Sequence, residues 1–257
     1  MTLVTVIGLG EAGALYATGL HEAGAVVHGY DPFISVSSPH FRQFDELAAA
    51  VAMVDVVISL VGAAAAPGVA NSVFPHLAGK TVFADFNTSS PGAKVALASA
   101  AATAGIRFAD VAVLAPVGRS GSRTHLLASG DGAGLLAGLL QPLGVPIEVI
   151  VGGAGIAASR KLLRSVFMKG LAGLVLETVA AGEASHNEVW IRGQIAAELG
   201  PDGHALIERL ISGSRAHAER RVHEVEDASE YLRELGTPGW MTEGTHQWLS
   251  SLTKGIK

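Results

Sequence analysis

The stretch Thr2-Leu3-Val4-Thr5-Val6-Ile7-Gly8-Leu9-Gly10-Glu11-Ala12-Gly13-Ala14-Leu15-Tyr16-Ala17 runs from β-branched apolar residues through three spaced glycines into an alanine-rich helical pattern. Strand, tight turn and helix in that order form the phosphate-binding turn of a dinucleotide-binding βαβ unit. Gly8 permits the turn, Gly10 lets the backbone approach a pyrophosphate, and Gly13 lets the helix close on the strand. Leu9, Glu11 and Ala12 complete the turn, and the free N–H groups of the helix start face the anion. In a chain with 32 glycines such a string gains weight only from its surroundings.

Those surroundings repeat the same unit. A helix is expected over 11–22 and a strand over 25–30, closed by Asp31-Pro32. Asp31 stands 18 residues beyond Gly13, where such folds place the carboxylate that binds the adenosine ribose. Its charge opposes a 2′-phosphate, so NAD is expected in preference to NADP. The plainer reading is an aspartate that opens a turn before proline.

Further helices are expected over 44–53, 66–76 and 90–104, and strands over 54–61, 81–85 and 106–110. Residues 111–117 and 124–128 are strand-like, and 147–151 is a strand. Repeated βα units of this length define an α/β fold: a Rossmann-type, mainly parallel sheet with helices on both faces. Ligands bind such sheets at the carboxyl ends of the strands. The glycine turn, Asp31, Leu60-Val61 and Asn87-Thr88 all fall there. The segment Gly118-Arg119-Ser120-Gly121-Ser122-Arg123 reads as a flexible polar loop, either a solvated tip or a receptor for an anionic substrate.

From Gly155 the rhythm changes. One long helix over 156–188 leads into an all-helical remainder, with helices over 202–212, 214–235 and 242–254. Domains are therefore expected at 1–153 (Rossmann-like) and 154–257 (helical, for substrate and dimerisation). The long helix is apolar around most of its circumference, which predicts burial on nearly all sides. Lys161, Arg164, Ser165 and Met168 form one stripe on it. Lysine and arginine on a buried helix require partners or a task, or else snorkel to the surface.

Composition limits the alternatives. The 257 residues carry a formal charge of -5, 49% hydrophobic and 16% charged residues, and no cysteine. Disulfides and thiolate chemistry are excluded, nucleic acid is not the expected partner, and the cytoplasm is the expected compartment. The first residues lack the basic flank and cleavage site of a signal peptide. Asp55, Gln141 and Glu177 interrupt the longest apolar runs, so no membrane span is expected. No histidine pair has metal-ligand spacing with a carboxylate, so no metal is expected.

These motifs resemble the β-hydroxyacid dehydrogenase family, which includes 3-hydroxyisobutyrate and 6-phosphogluconate dehydrogenases. The resemblance covers essentially the whole chain. It is closest to the bacterial phosphogluconate-dehydrogenase-like branch with a distinctive helical C-terminal domain. The family turn GLGxMG is Gly8-Leu9-Gly10-Glu11-Ala12-Gly13 here, and its D-x-S-T strand end is Asp85-Phe86-Asn87-Thr88. The resemblance gives Thr88 a cofactor contact and makes Lys161, after Gly155-Ile156-Ala157-Ala158-Ser159-Arg160, the general acid/base. Lys169 matches a related form of that motif.

Three departures stand out. Ser165 replaces the usual Asn four residues after the lysine, with Arg164 beside it. The substrate loop D-A-P-V-S-G-G is matched only locally by Ala115-Pro116-Val117-Gly118, and spacing from Asp110 puts Leu114 at its serine. His223-Glu224 stands at the family's C-terminal Lys-Asp, which gives His223 a cofactor contact. The resemblance then implies a small carboxylate-bearing β-hydroxy acid (or its keto or semialdehyde form), received by Ser165, Arg164, Arg119, Ser120, Gly121 and Ser122. It also implies an NAD(P)-dependent dehydrogenase, and a homodimer through the C-terminal helices is expected. A lysine of ordinary pKa, about 10.4, is nearly all ammonium at neutral pH; burial and Arg164 would favour the neutral base. An imine reductase of the same architecture and a non-catalytic dinucleotide-binding regulator are the competing readings.

Overall fold

The computed structural model describes residues 1–254, so the last three residues of the expected helical domain lie outside the described residues. The chain forms two compact units, Met1–Lys161 and Leu162–Lys257. In the first, β1 (Leu3–Ile7), α1 (Glu11–Glu22), β2 (Val26–Tyr30), β3 (Arg42–Gln43), α2 (Leu47–Ala50), β4 (Val56–Ser59), α3 (Ala66–Val73), β5 (Val82–Asp85) and α4 (Pro91–Thr103) follow in order. They continue with β6 (Arg107–Val113), α5 (Val117–Ser120), β7 (Leu126–Ser129), α6 (Ala133–Leu140), β8 (Ile147–Val149) and the start of α7 (Ile156–Ala184).

The strands form one sheet in the order β3-β2-β1-β4-β5-β6-β7-β8. It is parallel as far as β6, after which β7 runs antiparallel and β8 runs parallel to β7. The mainly parallel α/β fold expected from the repeated units is what the chain adopts. Period-two alternation explains its two cores. Val4, Val6 and Ile58 enter one core with Leu136 of α6, while Ile7, Val57 and Phe83 enter the other with Leu97 of α4. Each fully buried side chain of this kind contributes about 1.5–3 kcal/mol, so the sheet is a stiff platform for its carboxyl-end turns.

The helix expected over 44–53 shrinks to α2, because Phe44 donates its N–H to Gly29 and extends the β2 ladder instead. The strands expected at 106–110 and 111–117 are one strand, β6, whose last three residues pass beyond the end of β5 and pair with β7. Ser90 caps α4 as expected: its Oγ accepts the Ala93 N–H at 3.2 Å, with Pro91 in the first turn.

The second unit holds most of α7, then α8 (Glu188–Glu198), α9 (Gly203–Ala216), α10 (Ala218–Glu234) and α11 (Trp240–Thr253). The long helix stops at Ala184, earlier than expected: His186 turns left-handed (φ 57°) and the Asn187 N–H closes onto Gly182 O at 2.8 Å. The break expected at Gly213 falls at His217 instead. Gly213 stays helical under the Arg221 guanidinium, where a Cβ would meet Nη2 at 2.8 Å.

The expectation that α7 is buried on nearly all sides is corrected. Ala172, Val175, Leu176 and Val179 are in the core, but Leu163, Phe167 and Leu174 are 48%, 67% and 55% exposed. The expected absence of a span-length apolar segment is corrected as well. By length and composition alone α7 is long and apolar enough to cross a membrane, although Lys169 and Glu177 stand within it.

Candidate functional site

The glycine turn has the shape its sequence requires. Gly8 has φ +90°, and a Cβ there would lie 2.4 Å from Leu60 O and 3.0 Å from a Val61 methyl. The end of β4 is thus pressed against the turn. A Cβ on Gly13 would lie 1.8 Å from Gly8 O, whereas one on Gly10 would meet nothing within 4 Å. Gly10 also begins α1 with no side-chain cap. A crowded turn, an open outer face and uncapped first-turn amides are what a pyrophosphate needs, so the residues present fit a dinucleotide.

Asp31 sits between β2 and this turn. One carboxylate oxygen accepts the Leu9 N–H at 2.8 Å, and the other accepts those of Phe33 and Ile34 at 2.9 and 3.1 Å. The turn-opening role and the position facing the glycine loop coexist in one residue. Phe33, which no motif singled out, is 94% exposed beside it.

On the other side, Asn87 joins the ends of β4 and β5. Its Oδ1 accepts the Gly62 N–H at 2.7 Å, and its Nδ2 donates to Ser59 Oγ and to Asp85 Oδ1. Thr88 follows, and Lys161 Nζ donates to its Oγ1 at 2.7 Å. Two residues 73 apart in sequence, each singled out by a motif, therefore meet at the carboxyl end of β5.

Lys161 is carried there by an N-terminal turn fastened to the sheet. Asp110 Oδ2 accepts the N–H groups of Gly155 and Ala158 at 2.9 and 3.1 Å, and Ser129 Oγ accepts that of Ala157 at 3.1 Å. A carboxylate at a helix N-terminus is favoured by the free N–H groups and the helix dipole. Beneath it Lys94, 1% exposed, lies 3.0 Å from Asp85 and 3.4 Å from Asp110. Motif reading missed Lys94, Asp110 and Ser129 as parts of this region. The available signal was a lone charge in the otherwise uncharged segment Pro91–Thr103, since such a lysine is buried only with partners.

The expected flexible loop at 118–123 is two tight helical turns, α5 and a 3-10 turn over Gly121–Arg123. Ser122, expected either to receive the substrate or to lie in a solvated tip, is buried, because α1 presents Gly19 there and a Cβ on Gly19 would lie 2.2 Å from Ser122 Oγ. Arg119 and Ser120 are exposed and Gly121 is half-buried. Gly118 lies beside Glu11, whose Oε1 would be 3.2 Å from a Cβ there. A Gly19→Ala exchange should gain about 1 kcal/mol of helix propensity and lose about 1–3 kcal/mol to overpacking. Net destabilisation is expected, read as a lower melting temperature, and an unchanged or higher value would refute the close packing.

In the second unit Arg164 is exposed and Ser165 half-buried on α7. His223 is exposed on α10, with Nδ1 3.0 Å from Glu226. Its neighbour Glu224 instead pairs with Lys169, at 2.5 Å, joining two positions the family motifs mark. Burial lowers the Lys169 ammonium below its usual pKa, Glu224 partly restores it, and Arg221 and Arg220 oppose that.

Fold and crevice together define a dinucleotide-binding α/β protein. The family model described as the NAD binding domain of 6-phosphogluconate dehydrogenase matches residues 3–135, and a domain of unknown function, DUF1932, matches residues 188–252. The chain belongs to this 6-phosphogluconate dehydrogenase-like family of β-hydroxyacid dehydrogenase relatives. It is 30% identical to a conserved hypothetical protein from Sinorhizobium meliloti, with TM-score 0.79 over 98% of this chain and 88% of that one. It shares its fold with the 3-hydroxyisobutyrate dehydrogenase of Mycobacterium tuberculosis (19% identity, TM-score 0.83, covering 99% and 94%). An imine reductase from Myxococcus stipitatus has the same fold (16% identity, TM-score 0.69, covering 99% and 95%).

Proposed function

We propose that the protein is an NAD(P)-dependent oxidoreductase that moves a hydride between the nicotinamide and a small β-hydroxy acid or its keto or semialdehyde form. The observation that carries this reading is the Lys161–Thr88 hydrogen bond of 2.7 Å at the carboxyl end of β5. When bound, the dinucleotide supplies the carbon that accepts or gives the hydride. The remaining work falls to the chain. In oxidation Lys161 Nζ takes the hydroxyl proton as the C–H bond breaks, and in reduction it returns that proton to the developing alkoxide. Thr88 orients the lysine, and the cap at the start of α7 keeps it from drifting. Exposed Arg119 and Arg164 and half-buried Ser165 are the proposed contacts for the substrate carboxylate, with Ser120 and Gly121 beside Arg119.

Lys161 distinguishes this from carbon–nitrogen reduction, in which a lysine base is not required. Purified protein assayed with short β-hydroxy acids and with cyclic imines, following NADH at 340 nm, tests the reading. Turnover of a hydroxy acid that disappears in Lys161→Ala supports it; imine reduction that survives Lys161→Ala overturns it.

NAD is the proposed cofactor over NADP because Asp31 places a carboxylate beside the glycine turn. Asp31→Asn keeps an acceptor for the Leu9 N–H while removing the charge. It should raise the NADPH-to-NADH affinity ratio about tenfold, a difference of about 1.4 kcal/mol. An unchanged ratio by fluorescence titration would count against it. The exposed Leu163, Phe167 and Leu174 of α7 support a homodimer through the C-terminal helices, which sedimentation of Phe167→Glu would reduce to monomer.

A further inference from the structure

Lys94 has an ammonium with three donors and three oxygens around it. Nζ donates to the Asp85 carbonyl at 2.8 Å and lies 3.0 Å from Asp85 Oδ2 and 3.4 Å from Asp110 Oδ1. All three side chains are 0–1% exposed. From this centre two chains of hydrogen bonds diverge. One passes through Asp85 Oδ1 to the Asn87 N–H at 3.2 Å and to its amide, and through Asn87 Oδ1 to Gly62. It fixes the turn that presents Thr88. The other passes through Asp110 Oδ2 to Gly155 and Ala158, and through Ser129, whose hydroxyl donates to Asp110 at 3.2 Å and accepts from Ala157. It fixes the first turn of α7, three residues before Lys161.

We propose that Lys94 is a positioning residue that holds Thr88 and Lys161 in register by drawing together the two buried carboxylates on which their backbones hang. The proposal rests on the reading of Lys161 as the acid/base group. Lys94 contacts Asp85 and Asp110, so its effect on Thr88 and Lys161 is transmitted through those two carboxylates. Without the ammonium, Asp85 and Asp110 face each other in a low-dielectric interior, where like charges cannot both persist. One must take up a proton or swing away, and whichever moves releases its turn. Loss of Asp85 loosens Thr88, and loss of Asp110 loosens the start of α7. The three glycines of the turn and Asp31 lie outside the bonds traced from Lys94, whereas Lys161 and its Thr88 partner both hang on them, so substrate turnover should respond more strongly than dinucleotide affinity.

The test is Lys94→Met in the full chain, read in three ways. The crystal structure should show the Lys161 Nζ–Thr88 Oγ1 hydrogen bond broken. The NADH dissociation constant should rise no more than about tenfold, the loss of one Thr88 contact, while kcat falls about 100-fold, as for a reacting group displaced by about 1 Å. The pH profile of kcat should shift along its limb. A purely structural Lys94 would lower the melting temperature and scale activity with the folded fraction, leaving the bond and the profile unchanged; that result overturns the proposal. Should Lys94→Met fail to fold, the same readouts are taken on Lys94→Gln, which keeps a donor without the charge. If Lys161→Ala proves fully active, the acid/base reading fails, while the crystallographic distance in the Lys94 variants still decides whether Lys94 sets the register.

Discussion

Replacing Lys161 by alanine should lower kcat on a hydroxy acid about 10²- to 10⁴-fold, with little change in NADH affinity. The range is that of a lost general acid or base, about 3–5 kcal/mol of transition-state stabilisation. Lys161 is half-buried at the start of α7, donates to Thr88, and lies outside the glycine turn that is to hold the dinucleotide. Removing it deletes the proposed proton carrier and leaves the glycine turn as it was. Lys161→Arg would separate charge from proton transfer, because a guanidinium keeps the charge and does not give up its proton at any workable pH. Both variants should therefore be slow. A Lys161→Ala enzyme within a factor of three of the parent would remove the lysine from the mechanism.

Gly13→Ala should abolish measurable dinucleotide binding. A Cβ at that position would sit 1.8 Å from the Gly8 carbonyl oxygen, a backbone atom of a residue that Leu60 already crowds, since a Cβ on Gly8 would itself lie 2.4 Å from Leu60 O. Overpacking of a close backbone contact costs about 1–3 kcal/mol of stability. The local shift needed to relieve it moves the amides that are to meet the pyrophosphate, so affinity should fall by more than 100-fold. Titration of NADH fluorescence, alongside circular dichroism to show that the variant is folded, measures the two separately. Gly10→Ala is the control: a Cβ there meets nothing within 4 Å in the protein itself, so its fold should stand. Equal NADH binding by Gly13→Ala and the parent would show that this turn does not hold the dinucleotide.

The sheet and the crevice were legible because their signals are local. Apolar β-branched runs, the glycines of the turn and Asp31 each announce themselves within a few residues, and their partners lie one βα unit away. The Ser90 cap was legible for the same reason. The two helical turns at 117–123 were not, since their order depends on Gly19, about 100 residues earlier, leaving room for Ser122. Nor was the short β3 strand, where the helical pattern of 44–53 yields to a ladder bond from Phe44 to Gly29. The buried ion network escaped because it joins β5, β6, α4 and α7, and one strand periodicity cannot report what lies beside another strand. Lys161 and Thr88 were recognised separately by motif; only the fold brings them within one hydrogen bond.

The reversal of β7 and β8 bears on the order in which this arrangement can form. Residues up to the end of β6 build the parallel sheet from successive βα units, whose contacts are comparatively short in sequence and so comparatively quick to close. The start of α7 can reach Asp110 only after residues 126–149 have turned back along β6 and been added to the edge. Its bonds to Asp110 span 45 and 48 residues, and the one from Lys161 to Thr88 spans 73. During synthesis from the N-terminus, the nucleotide crevice is therefore complete in outline before the lysine that is to act beside it has been placed. An unfinished chain would then have the glycine turn in place and the Lys161–Thr88 hydrogen bond still unformed, so the proposed binding competence would precede the proposed chemical competence along the folding path.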